Sequence, residues 1–224
     1  MQKLIIKGNK ELSGKISISG SKNATLPILA ATILAKHVTL KNIPLVKDIF
    51  TMIELLNFIG LKTKILKKKN IIKIKNSEKK INTLAPYKLV KTMRAGVLVL
   101  GPLLTKYGHA KISLPGGCAI GSRPVDLHLF ALKKLGAKIK IKDGYITAEA
   151  KRGLKGAVIK FPTVSVGATE NALLAAVKAK GTTILKNCAI EPEIKDLIIF
   201  LKKLGSTIKL KGRKIIIKQN EIKN

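Results

Sequence analysis

The stretch LLNFIGLKTKILKKKNIIKIK, residues 55–75, decides the fold, because its pattern occurs three times in the chain. The second copy is ALKKLGAKIKIKDGYITAEA at 131–150, and the third is FLKKLGSTIKLKGRKIIIK at 200–218. Each copy begins as a helix, passes through a glycine, and continues with apolar residues that alternate with lysine. That alternation has the two-residue period of a half-buried strand. The pattern therefore predicts three copies of a helix followed by two strands.

The glycines of the three copies are Gly60, Gly136 and Gly205, separated by 76 and 69 residues. Glycine directly after a helix supplies the left-handed conformation that ends it. Upstream of each copy lie a polar turn that opens another helix, and then a short strand. The complete repeat is predicted to be strand–helix–strand–helix–strand–strand, over about 14–80, 81–151 and 152–219.

The helices LPILAATILA (26–35) and GVLVLGPLL (96–104) are apolar on nearly all sides. Helices of that kind lie in the interior of a protein. The predicted fold class is therefore α/β, a lobe of three repeats with interior helices. The segment KLIIKG (3–8) is predicted to be a lone strand before the first repeat.

The net charge of +32 raises the possibility of a nucleic-acid-binding protein. Only four of the 44 basic residues are arginine, the residue that nucleic-acid sites use for bidentate contacts. The lysines are spread along the predicted strands, which favours solvated faces over a nucleic-acid interface. Anionic small substrates fit such a charge, and a basic RNA-binding protein stays open as an alternative.

The remaining composition favours a cytoplasmic protein without cofactor or metal. No window approaches the roughly 18 consecutive apolar residues of a membrane span, and the N-terminal residues lack a signal-peptide pattern. Cys118 and Cys188 are too few for a disulfide framework, and they lack metal-site spacing.

Several motifs resemble those of the enolpyruvyl transferases, over the whole length of the chain. The motifs are SGSKNATLPIL (19–29), LVKTMRAG (89–96), SLPGGCAIGSRPVDLH (113–128), SVGATENALLAA (165–176) and EPEI (191–194). The resemblance implies transfer of the enolpyruvyl group of phosphoenolpyruvate to an acceptor hydroxyl, with release of phosphate. The cysteine-containing loop is similar to that of the members that use UDP-N-acetylglucosamine, in the first committed step of peptidoglycan synthesis. Transfer to shikimate 3-phosphate on the same fold is the alternative.

Two basic residues near predicted helix starts are candidate ligands. Lys22 follows a Gly-Ser turn at the start of a helix, where free N–H groups and an ammonium suit an anion. The resemblance assigns Lys22 to phosphoenolpyruvate and places Asn23 beside it. Arg94 lies among apolar residues, where it needs either an internal ion pair or a ligand. The resemblance implies contact with the UDP-sugar.

The glycine-rich loop supplies the candidate acid. Cys118 precedes a predicted helix start and Arg123, and both features lower the pKa of a thiol. The resemblance assigns Cys118 as the proton donor to the methylene carbon and Arg123 to phosphoenolpyruvate. Further contacts with the nucleotide sugar are implied for the loop's end, at Arg123, Pro124, Val125, Asp126 and Leu127. Asp126 could instead only favour the helix dipole, His128 is interpreted as orienting or structural, and Cys188 as structural.

The turn TVSVGAT (163–169) opens the interior helix of the third repeat. The resemblance implies uridine-diphosphate contacts at Thr163, Val164, Ser165 and Val166, while a simple N-cap by Ser165 or Thr169 is equally compatible with the sequence. Three acidic residues match family positions as supporting candidates: Asp48, Glu191 and Glu193.

Enolpyruvyl transferases have two lobes, and the second supplies an aspartate near the sugar hydroxyl and further arginines. The resemblance covers only the first lobe, at 14–219, and implies that residues 1–13 would pair within the second. A truncated product, a split enzyme completed by a second-lobe polypeptide, and an inactive remnant are the three explanations.

Overall fold

The computed structural model describes residues 3–8, 11–77, 81–91, 93–114 and 125–219. The first unit contains α1 (Lys22–Ala31), β1 (His37–Leu40), α2 (Lys47–Ile59), β2 (Lys62–Leu66) and β3 (Ile71–Lys75). The second contains β4 (Leu84–Ala85), α3 (Tyr87–Val90), α4 (Leu100–Tyr107), β5 (His109–Ser113), α5 (Asp126–Lys134), β6 (Lys138–Lys142) and β7 (Tyr145–Glu149). The third contains β8 (Val158–Lys160), α6 (Val166–Ala176), β9 (Thr182–Lys186), α7 (Pro192–Lys203), β10 (Thr207–Lys211) and β11 (Lys214–Lys218). Short 3-10 helices span Thr32–Leu34, Lys67–Lys69 and Arg94–Val99.

Each unit builds its own β-sheet. The strand orders are β1-β3-β2, β4-β5-β7-β6 and β8-β9-β11-β10. The pairs β4–β5 and β8–β9 are parallel, and the other pairs are antiparallel. The α/β architecture predicted from the repeated pattern is confirmed.

The outer helix of each unit ends at the predicted glycine. Gly60, Gly136 and Gly205 have φ angles of 116°, 94° and 101°, the left-handed region that residues with a Cβ avoid. The Gly60 N–H donates to the carbonyls of Leu56 and Asn57, which would otherwise lack helical partners. The chain then turns directly into the two hairpin strands.

The interior helices α1, α4 and α6 form the core. All nine residues from Ala168 to Ala176 of α6 are buried, and α6 packs against α4, α5 and α7. Leu29, Leu103 and Leu174 have no exposed surface, and burial stabilises each by about 1.5–3 kcal/mol. Despite this apolar character, none of the described helices is long and apolar enough to cross a membrane.

The first unit departs from the predicted repeat, because it lacks an opening strand. Residues 3–8, predicted as a lone strand, and residues 14–20, predicted to open the first unit, form no strand. Their apolar side chains are exposed, for example Leu4 at 88% and Ile16 at 87%. In the other units the opening strand pairs in parallel with the next strand. Alternation predicted the strand, but a strand also needs a hydrogen-bonding neighbour.

Candidate functional site

The helices α1 and α6 begin with the same local structure, which the patterns SKNAT (21–25) and SVGAT (165–169) encode. Ser21 Oγ accepts the Ala24 N–H at 3.3 Å, and Ser165 Oγ accepts the Ala168 N–H at the same distance. The threonine at the end of each pattern donates its hydroxyl to the serine carbonyl at 2.7 Å. Ser165 is therefore an N-cap, and this cap leaves the neighbouring N–H groups of the first turn available.

The N-terminal ends of three interior helices meet around a cavity of about 500 Å³. They are the ends of α1, of α6, and of the 3-10 helix Arg94–Val99, which continues into α4. The lining residues are Asn23, Leu26, Pro27, Arg94, Ala95, Val97, Leu98, Val125, His128, Ser165, Val166, Gly167, Glu170 and Glu193. Each helix N-terminus bears a partial positive charge of roughly half an elementary charge. The cavity therefore favours an anionic ligand.

Five of the sequence-predicted site residues line this cavity together: Asn23, Arg94, Val125, Ser165 and Val166. They come from all three units, so the fold brings together motifs that lie about 70 residues apart in the chain. Arg94 is half-buried at the first position of its 3-10 helix. A guanidinium beside helix N-termini can contact phosphate oxygens bidentately.

Lys22 lies at the first position of α1 but does not line the cavity. Its Nζ is 2.9 Å from Asp48 Oδ2, and the two side chains are 47% and 36% exposed. The sequence predicted both residues as site candidates, and the structure joins them in an ion pair. At this exposure an ion pair contributes about 0–1 kcal/mol, so it leaves the ammonium open to exchange its partner for an anion.

His128 belongs to a buried hydrogen-bond network centred on Asn171. Asn171 Oδ1 accepts the Gly101 N–H at 2.8 Å, which fixes the orientation of the amide. Its Nδ2 donates to the Val97 carbonyl at 3.0 Å and lies 3.1 Å from His128 Nδ1. Nδ1 is thus the acceptor, and the imidazole proton is on Nε2. Burial lowers the pKa of His128 to about 4, so the ring is a neutral donor and not a cation.

Gly167 lets the His128 ring lie directly against α6. A Cβ at position 167 would lie 3.1 Å from His128 Cε1 and 3.2 Å from Nε2. Both residues line the cavity, so the Nε2–H is held next to the N-terminal turn of α6. The prediction that His128 is an orienting or structural residue agrees with this arrangement.

Glu170 is the cavity residue that sequence reasoning missed. It lies on α6 among small apolar residues and is 5% exposed. Burial, and next the charge of Glu193 on α7, raises the pKa of Glu170 to about 8. A single acidic residue in the apolar helix VGATENALLAA was the available signal, since a buried carboxyl is rare without a partner or a role.

The other predicted residues are placed as follows. Thr163 and Val164 are exposed just before α6, and Asp126 and Leu127 lie in the first turn of α5; none of these four is among the cavity's lining residues. Glu191 is the N-cap residue of α7, and its Oε2 accepts the Ile190 N–H at 2.7 Å. Cys118, Arg123 and Pro124 lie outside the described residues.

Cys188 is buried between β9 and α7, and burial raises the pKa of its thiol to about 11. Its carbonyl accepts a hydrogen bond from Arg213 Nη1 at 2.9 Å. A protonated, buried thiol of this kind is inert, in agreement with the structural role predicted for Cys188.

The chain is similar to known proteins in sequence. The family model described as EPSP synthase (3-phosphoshikimate 1-carboxyvinyltransferase) matches residues 6–224. A UDP-N-acetylglucosamine 1-carboxyvinyltransferase of Pelagibacter ubique (strain HTCC1062) is 60% identical over 217 residues, which are 96% of this chain and 51% of the relative. A protein of the same name from Rickettsia prowazekii (strain Madrid E) is 52% identical over 222 residues, 95% of this chain and 53% of the relative. The chain thus spans about half the length of the curated relatives it matches.

Solved structures share the fold. The enolpyruvyl transferase NikO from Streptomyces tendae superposes with a TM-score of 0.83 at 20% identity, over 97% of this chain and 51% of that one. EPSP synthase from Acinetobacter baumannii superposes with a TM-score of 0.76 at 19% identity, over 97% of this chain and 49% of that one. These structures confirm the fold, and the sequence matches confirm the resemblance to enolpyruvyl transferases. With the family model extending over nearly all of its residues, the chain belongs to the EPSP synthase (3-phosphoshikimate 1-carboxyvinyltransferase) family.

Proposed function

We propose that the chain acts in the transfer of the enolpyruvyl group from phosphoenolpyruvate to the 3-hydroxyl of UDP-N-acetylglucosamine, a step of peptidoglycan synthesis. The observation that supports this most directly is the 60% identity, over 96% of this chain, to a relative named for that reaction. The cavity agrees with it, because three helix N-termini and Arg94 suit the diphosphate of a nucleotide sugar.

The proposed reaction is an addition followed by an elimination. The sugar hydroxyl gives its proton to a base, for which the second-lobe aspartate is proposed, as its oxygen bonds to C2 of phosphoenolpyruvate. A proton is added to the methylene carbon. Loss of a proton from that carbon then expels phosphate. Cys118 is proposed as the proton donor, and Lys22 and Arg123 as the cations for phosphoenolpyruvate. Lys22 would exchange its exposed ion pair with Asp48 for one with the phosphate.

The nucleotide sugar is proposed to occupy the cavity. Asn23, Arg94, Ser165 and Val166 line it, and the first-turn N–H groups of α6 supply donors for phosphate oxygens. Asp126, Leu127, Thr163 and Val164 are proposed to contact the ligand beyond the cavity wall. The neutral His128 ring supplies a further donor through Nε2–H.

Because the chain spans about half the length of its curated relatives, we expect these 224 residues to bind the nucleotide sugar without turning it over. Enolpyruvyl transfer in the family uses an aspartate and arginines of a second lobe. Removal of a single preorganised donor costs about 10²–10³ in rate, so loss of several leaves no measurable turnover. A second-lobe polypeptide is the proposed partner.

Isothermal titration of the 224-residue chain with UDP-N-acetylglucosamine tests the proposal. We expect saturable binding that Arg94→Ala weakens about tenfold or more, because a hydrogen bond to a charged group contributes about 1.5–3 kcal/mol. Arg152→Ala is the matched control, since Arg152 is exposed in a turn outside the cavity. It removes the same charge and should leave the affinity unchanged.

Four results would contradict the proposal or its second-lobe partner. Equal losses in both arginine variants would mean that only the overall positive charge attracts the ligand. Tighter binding of shikimate 3-phosphate would favour the alternative acceptor, and salt-sensitive RNA binding without nucleotide-sugar binding would favour the RNA-binding alternative. Phosphate release by the 224 residues alone, with both substrates present, would remove the need for a second lobe.

A further inference from the structure

The Glu170 carboxyl is a buried polar group at the cavity that has no hydrogen-bond or ion-pair partner among the described residues. The residue is 5% exposed and lines the cavity. None of the hydrogen bonds among the described residues uses its carboxyl group. An ionised carboxylate in such a place would be costly, so the neutral acid is the form that the fold favours.

The titratable side chains that α7 and α5 place in this lining do not offer a positive charge to the Glu170 carboxyl. α7 contributes Glu193, whose negative charge is the second cause of the raised pKa of Glu170 after burial. α5 contributes His128, which burial keeps neutral through a pKa of about 4. The 3-10 helix contributes Arg94 and α1 contributes Asn23 to the same lining, while α4 contributes no lining residue.

A neutral carboxylic acid has a use that a carboxylate lacks in this cavity. A carboxylate would repel the anionic ligand that the helix N-termini attract, and it could only accept hydrogen bonds. The neutral acid removes that repulsion and adds an O–H donor. Proteins use buried acids in this way to hydrogen-bond a ligand oxygen at neutral pH.

We propose that Glu170 is a ligand-binding residue of this cavity, whose neutral carboxylic acid donates a hydrogen bond to an uncharged oxygen of the bound nucleotide sugar. The inference rests on the proposed function, since that function supplies the ligand. This hydrogen bond would contribute to specificity as well as to affinity, because a ligand without an acceptor oxygen at that place would leave the Glu170 O–H unpaired.

Isothermal titration with UDP-N-acetylglucosamine between pH 6 and pH 9 tests the inference in the 224-residue chain and three variants. In the wild type, the association constant should be level up to about pH 8 and then fall by up to about tenfold per pH unit, as the acid ionises. Glu170→Ala should bind about tenfold more weakly at pH 7. Glu170→Gln keeps a neutral donor, so it should retain most of the affinity and lose the fall above pH 8.

Glu54→Gln is the matched control, because Glu54 is exposed on α2 and is not among the lining residues of the cavity. It should keep both the affinity and the pH profile of the wild type. Cys118 and the uracil ring are present in every titration. Their ionisation therefore cannot cause a difference between the pH profiles of Glu170→Gln and the wild type. Melting temperatures at pH 7 verify that each variant is folded.

The outcomes separate this inference from the proposed function. If the wild type binds but Glu170→Ala binds equally well, or Glu170→Gln keeps the fall above pH 8, the role of Glu170 is overturned and the proposed function stands. If the wild type does not bind UDP-N-acetylglucosamine at any pH, both are overturned.

Discussion

Two titratable residues of the cavity, the buried Glu170 and the half-buried His128, have opposite effects on the pH dependence of folding. The folded-state pKa of Glu170 is raised from 4.5 to about 8, so its contribution to stability is lost as pH rises between those values. The folded-state pKa of His128 is lowered from 6.5 to about 4, so its contribution is lost as pH falls between those values. Of these two residues, only Glu170 contributes to the pH dependence between pH 6.5 and 8.

We therefore expect the free energy of unfolding to fall as pH rises from 6.5 to 8, because in this range the unfolded chain has released the Glu170 proton and the folded chain keeps it. The slope is at most about 1.4 kcal/mol per pH unit. Chemical denaturation at several pH values measures it. Glu170→Gln should give a flat profile and Glu54→Gln the wild-type one; a wild-type profile that is flat or rising would contradict the raised pKa.

Individual cavity residues could be singled out from the sequence where a motif surrounds them. Asn23, Arg94 and Ser165 lie in motifs that resemble a family, and all three line the cavity. Glu170 has no spacing pattern that marks it. The tautomer of His128 depends on Asn171, 43 residues away in the chain, and such a contact exists only after the helices pack.

At the scale of elements, α4 and α6 approach so closely that Gly101 cannot hold a larger side chain. A Cβ there would lie 2.5 Å from Asn171 Oδ1 and 2.7 Å from the Asn171 carbonyl oxygen. In an open helix, alanine in place of glycine would stabilise by about 1 kcal/mol. Here the overlap is with backbone and a buried amide, so the overpacking cost of about 1–3 kcal/mol is the larger effect.

Gly101→Ala should therefore lower the free energy of unfolding, as measured by urea denaturation. Asn171→Ala should also lower it, by about 1–3 kcal/mol, because the Gly101 N–H and the Val97 carbonyl lose a partner. Asn171→Ala removes the Oδ1 atom, which is one of the two atoms that the new Cβ of Gly101→Ala would overlap. The double variant should therefore lose less free energy of unfolding than the sum of the two single losses. A stabilised Gly101→Ala, or strictly additive losses, would contradict this close packing.

The repeat pattern predicted these elements well where local signals determine them. The helices that end at Gly60, Gly136 and Gly205, and the hairpins that follow, are present as predicted. The prediction of an opening strand in the first unit was wrong, although apolar and polar residues alternate at 15–19 as they do in a strand. Local alternation cannot supply the neighbouring strand whose hydrogen bonds make an extended segment a strand.

At the scale of the whole molecule, the net charge of +32 opposes folding through self-repulsion. Part of this repulsion acts between neighbouring strands in the sheet of the first unit, where Lys62 lies opposite Lys75 and Lys64 lies opposite Lys73. Like charges directly opposite each other in a sheet destabilise it by about 0.2–1 kcal/mol per pair. These exposed lysines were correctly predicted as solvated strand faces.

Salt should therefore stabilise the fold. Raising NaCl from about 10 mM to 150 mM shortens the screening length from roughly 30 Å to 8 Å. Relief of about 1 kcal/mol of repulsion would raise the melting temperature by about 2–4 °C in a chain of this size. Scanning calorimetry measures the change, with sucrose at equal osmolality as the uncharged control. A melting temperature independent of NaCl would contradict a repulsive surface.

The cavity has walls from all three units, and this makes any occupant a thermodynamic cross-link between them. A molecule bound there loses its site when any one unit separates, so its binding free energy opposes every partial opening at once. At a concentration one hundred times the dissociation constant, this coupling adds about 2.7 kcal/mol to the native state. Saturation with ligand thus adds to the cooperativity that the shared core already gives the three units.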